Sequence, residues 1–73
     1  MKLSQLDQGK AASIVALTGL TPEVRKKLMV MGMLPNTEVT LIRRAPMGDP
    51  LQVEVRGVSI AIRESIAEQI EVI

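Results

Sequence analysis

Hydrophobic and polar positions alternate most regularly late in the chain, where Leu51, Val53 and Val55 are separated by Gln52, Glu54 and Arg56. A period of two puts the two sets on opposite faces, so this segment predicts a half-buried β-strand. Glu38–Arg44 repeats the pattern, with Val39 and Leu41 set against Thr40 and Ile42. Ala12–Thr18 is apolar almost throughout and short, which predicts a buried strand. Gly57 allows a turn into a strand over Val58–Ile62, and Ile70–Ile73 predicts a closing strand.

One segment has helical signals instead. Thr21 can cap free backbone N–H groups, Pro22 suits the first helical position, and Glu23 complements the positive end of the helix dipole. The helix is expected to run to about Met31, where Gly32 supplies a left-handed ending residue. At 100° per residue, Val24, Leu28 and Met31 share the face expected to be buried, while Met29 and Val30 point elsewhere. Asp7–Lys10 reads as a turn, and Leu34-Pro35-Asn36-Thr37 as a type II turn with Asn36 accepting positive φ. Ala45–Pro50 forms a proline-bounded loop, and Arg63–Gln69 suggests one or two helical turns.

Five short strands joined mostly by tight turns predict a mainly β fold. The best fit is an SH3-like five-stranded barrel with one helix inserted after the first strand and a helical turn before the last. A ferredoxin-like fold needs two full crossover helices, and only one is present. The 73 residues suit a single domain, 1–73.

Composition narrows the chemistry. The chain has no His, no Cys and no aromatic residue, and its formal net charge is +1. Disulfides, thiolate metal sites and a serine triad are therefore excluded, and no cofactor or metal site is expected. Scattered carboxylates such as Asp7, Asp49 and Glu54 lack metal-loop spacing. RNA-binding barrels commonly stack bases on aromatics and track phosphates with clustered cations, so nucleic acid is a poor match. No apolar run approaches the roughly 20 residues of a membrane span, and Asp7 interrupts any signal-peptide core. A soluble cytoplasmic protein without enzymatic activity is the expectation.

Arg25-Lys26-Lys27 reads as the wet face of the helix. Arg43-Arg44 ends a strand, where either arginine is available to a partner's nucleotide or simply solvated. Leu28, Met29, Val30, Met33, Leu34 and Pro35, with Pro46 and Met47, are expected to gather in one helix-and-loop corner. Two readings apply to this corner. Either the loop folds over the helix and covers the methionines, or they form an adaptable partner-binding surface, which also leaves weak self-association open.

Leu28-Met29-Val30-Met31-Gly32-Met33-Leu34-Pro35, then Arg44-Ala45-Pro46-Met47-Gly48-Asp49-Pro50, then Ile62-Arg63 with Ala67 and Ile70, resemble the ferrous iron transport protein A (FeoA) family. The likeness covers essentially the whole chain. Asn36 stands where the family usually has Gly and still accepts positive φ; Ile62 replaces a usual Leu. The resemblance implies an SH3-like barrel that regulates or adapts the FeoB membrane permease, with its cytoplasmic GTP-binding domain as partner. The membrane is then met only through the permease, at its inner face. A regulatory barrel like that appended to metal-dependent repressors is the alternative within this fold.

Overall fold

A computed structural model describes all residues, 1–73. Five strands, β1 (Ala11–Ala16), β2 (Glu38–Arg44), β3 (Leu51–Val55), β4 (Val58–Ile62) and β5 (Glu71–Val72), form one antiparallel sheet in the order β4-β3-β2-β1-β5. A nine-residue helix, α1 (Pro22–Val30), follows β1, and a single helical turn, α2 (Glu64–Ala67), precedes β5. The sheet curls into a barrel-like shape without closing, since β4 and β5 do not pair. This is the expected mainly β architecture. A short 3₁₀ turn over Leu3–Gln5 was not expected; its Leu3 is buried and donates its N–H to the Ile70 carbonyl.

β1 makes the curl. Its first half pairs with β2 through Ala12 and Val39, and its second with β5 through Ile14 and Val72, with an irregularity before Ala16. The expectation of a fully buried first strand is corrected, because Ile14 is buried while Val15 is exposed on the open face. β3 keeps its alternation: Leu51, Val53 and Val55 are wholly buried. The β3–β4 turn places Arg56 and Gly57 both at positive φ, the twist a two-residue hairpin requires.

The core comprises 17 residues, all aliphatic or Met, so no buried polar side chain needs a partner. Each Leu, Ile, Val or Met among them contributes roughly 1.5–3 kcal/mol on burial. Without aromatics, the core depends on many small contributions.

Candidate functional site

The ending of α1 decides which methionine is core. Gly32 adopts φ 101°, its N–H donates to the Met29 carbonyl, and the Met33 N–H donates to the Leu28 carbonyl at 3.0 Å. This pair of bonds is the Schellman motif, which carries an apolar contact between the residue after the glycine and the last turn. Met33 is accordingly 0% exposed and Leu28 nearly so. Met31, expected inside, is half-exposed instead. Leu28 and Met33 therefore belong to the core and leave the candidate surface.

Of the residues expected at the helix end, Met29, Val30 and Pro35 stay exposed, Val30 at 79%, and Met31 joins them. Val30 and Met31 lie on one helical stripe with Glu23, Lys26 and Lys27, lining an open depression along α1. The aliphatic stems of the lysines extend the apolar strip and their ammonium groups rim it. The turn beyond is as expected: Asn36 has φ 68° and the Thr37 N–H donates to the Leu34 carbonyl. Pro35 is exposed and Leu34 half-buried.

The single corner is not observed. Val39 pairs with Val55 at one end of the β2–β3 ladder and Arg44 with Leu51 at the other. The Leu34–Thr37 turn leads into the first end, and the Ala45–Pro50 loop closes the second. The five residue steps from Val39 to Arg44 alone span about 16 Å. The loop is tied to α2, whose Glu64 N–H donates to Asp49 Oδ1 at 3.0 Å. It does not cover the α1 methionines, and its own Met47 is 92% exposed. Pro46 and Met47 thus form a second, separate exposed site.

The two arginines also part company. Leu41 pairs with Val53 and Arg43 with Gln52, leaving Ile42 as the extra residue of a bulge. Strict alternation would turn Arg43 inward with Val39 and Leu41. The bulge instead directs Arg44 inward, opposite Leu51. Its Nη2 donates to the Ser4 carbonyl at 2.6 Å and the Leu6 carbonyl at 3.1 Å. Arg44 is a structural clamp, while Arg43 stays exposed on the outer sheet face, with Nε donating to Gln52 Oε1 at 3.2 Å.

No three His, Cys, Asp or Glu side chains come together in a way that could hold a metal ion. No helix is long and apolar enough to cross a membrane.

A five-stranded SH3-like barrel with an aliphatic helix end left outside defines the class. The chain belongs to the FeoA family, matching the FeoA domain over residues 1–73. A Fe(2+) transport protein A/Fe(2+) transporter FeoB fusion protein from Porphyromonas gingivalis (strain ATCC BAA-308 / W83) is 32% identical over 72 residues. The match covers 99% of this chain but only 8% of that much longer protein. The solution structure of FeoA from Chlorobium tepidum superposes with a TM-score of 0.94 at 36% identity, over 99% of this chain and 68% of that one. The zinc-complexed FeoA of Stenotrophomonas maltophilia, described as a prokaryotic SH3 domain protein, gives a TM-score of 0.86 at 28% identity, over 100% and 89%. A manganese-dependent transcriptional repressor shares the fold alone, with a TM-score of 0.88 at 12% identity, over 100% of this chain and 40% of that one.

Proposed function

We propose that this chain is a cytoplasmic accessory domain of bacterial ferrous iron uptake that acts on a FeoB-like permease through protein–protein contact. The observation carrying this reading is the fusion protein, in which a relative of the whole chain is joined to a Fe(2+) transporter. Fusion raises the effective concentration of one part beside the other, an advantage where the two work together. The exposed aliphatic end of α1, centred on Val30 and rimmed by Lys26 and Lys27, supplies the docking face. Met29, Leu34 and Pro35, its near neighbours in sequence, are assigned to the same face. The contribution of this chain is a surface, and iron is the cargo of the partner.

The test is a pull-down with the permease's cytoplasmic GTP-binding domain, with and without guanine nucleotide. Retention that depends on nucleotide identifies a regulator, and retention that does not identifies a scaffold. Absence of retention in both conditions refutes docking on that domain.

A further inference from the structure

The outer face of the β2–β3–β4 ladder carries a polar relay at the end away from α1. Arg43 Nε donates to Gln52 Oε1 at 3.2 Å, and Gln52 Nε2 donates to Ser59 Oγ at 2.8 Å. The two bonds fix the Gln52 amide, because only its oxygen can accept from the guanidinium. They also settle which donors remain. Arg43 keeps both Nη groups, with no ion pair and no other hydrogen-bond partner. Ser59 accepts from Gln52, so its own O–H is free to donate outward. These groups line a shallow notch whose remaining walls are Ala45, Pro50 and Ala61, all small or rigid.

We propose that this notch binds a carboxylate, as an acidic side chain of a peptide segment. A guanidinium fork matches the two oxygens of a carboxylate in bidentate fashion, and the Ser59 hydroxyl adds a third donor. Charge selects a monoanion. Arg43 is the only cation lining the notch. Glu54, on the same outer face and paired across the ladder with Ser59, opposes a second negative charge. A phosphate dianion, whose desolvation cost grows roughly with the square of its charge, is the poorer ligand beside a single guanidinium. The small walls let a side-chain carboxylate reach the fork without displacing a bulky residue.

The experiment is an NMR titration of the isolated chain at matched ionic strength with three probes: the peptide Ac-Ala-Glu-Ala-NH2, its Gln counterpart, and inorganic phosphate. It requires no permease, so its outcome is independent of the docking reading above. Saturable shifts of Arg43 Nε–H and the Gln52 side-chain amide are expected with the Glu peptide and not with the Gln peptide. Arg43→Lys, which exchanges the fork for a point charge, should weaken that binding about tenfold. Ser59→Ala should weaken it roughly threefold. Absence of saturable shifts, equal affinity in Arg43→Lys, or tighter binding of phosphate than of the Glu peptide would each overturn the assignment.

Discussion

The guanidinium of Arg44 donates from Nη2 to the backbone carbonyl of Ser4 at 2.6 Å, linking the end of β2 to the N-terminal 3₁₀ turn. The same nitrogen reaches the Leu6 carbonyl, so one half-buried cation holds a segment that carries two core leucines. Hydrogen bonds to charged groups each contribute about 1.5–3 kcal/mol. Arg44→Ala should therefore destabilise the fold by about 2–3 kcal/mol, measured by urea unfolding. Arg43→Ala, on the exposed face, should change stability by less than about 0.5 kcal/mol. Equal losses would contradict the division made by the Ile42 bulge.

The Schellman ending of α1 separates the methionines by depth. Met33→Ala should cost about 2–4 kcal/mol, because it empties a fully enclosed site. Met47→Ala should be neutral within about 0.5 kcal/mol. Thermal unfolding of the two variants side by side checks this, and a comparable loss at Met47 would mean that the loop is packed rather than exposed.

Docking through α1 is tested by Val30→Asp. Since Val30 is largely exposed, the variant should keep its amide NMR dispersion and melting temperature within a few degrees. It should nevertheless lose co-purification with the permease. Leu28→Asp, one helix face away, should fail to fold. A folded Val30→Asp variant with undiminished binding would move the docking face elsewhere, with Pro46 and Met47 the next surface to probe.

Of the two arginines that end β2, only Arg43 is free to reach a partner's nucleotide. If the chain promotes GTP hydrolysis by its partner through Arg43, Arg43→Ala should lower the stimulated rate by roughly 10³-fold or more. A change of less than about twofold would rule out this mechanism and leave docking intact.

Glu71 accepts from the Met1 ammonium at 2.9 Å and from Lys2 Nζ at 3.1 Å. The hydrogen bond from the N-terminus, and next that from Lys2, hold its carboxyl below the usual value of 4.5. Folding thus favours the carboxylate, so this stabilisation is present above the ordinary value and disappears as pH falls through the lowered one. Wild type should melt higher than Glu71→Gln at about pH 6, and the gap should shrink as pH falls below 4.5 and through the lowered value. A gap that persisted in acid would have another origin.

Much of this protein follows from local signals alone. The alternation over Leu51–Arg56 and Glu38–Arg44 marked two strands, β2 to the residue and β3 all but Arg56, because a period of two is a property of the chain itself. Thr21-Pro22 set the start of α1, Asn36 the turn before β2, and the absence of His, Cys and aromatics narrowed the available chemistry before any folding was considered. Even Met33 had a readable sign, since a glycine closing a helix implies a buried residue just beyond it. Face counting at 100° per residue selected Met31 because it assumed that the helix continued.

Tertiary structure decided what separated positions do to one another. Loops rich in Met and Pro look alike in sequence, but the β2–β3 ladder holds them at opposite ends, and only strand pairing sets that distance. Arg43 and Arg44 are neighbours with the same side chain, yet a single unpaired residue in the ladder turns one outward toward Gln52 and the other inward toward Ser4. The physical reason is register: a bulge forms where the curvature of the barrel requires an extra residue in one strand. That requirement belongs to the curled sheet and not to the segment that meets it.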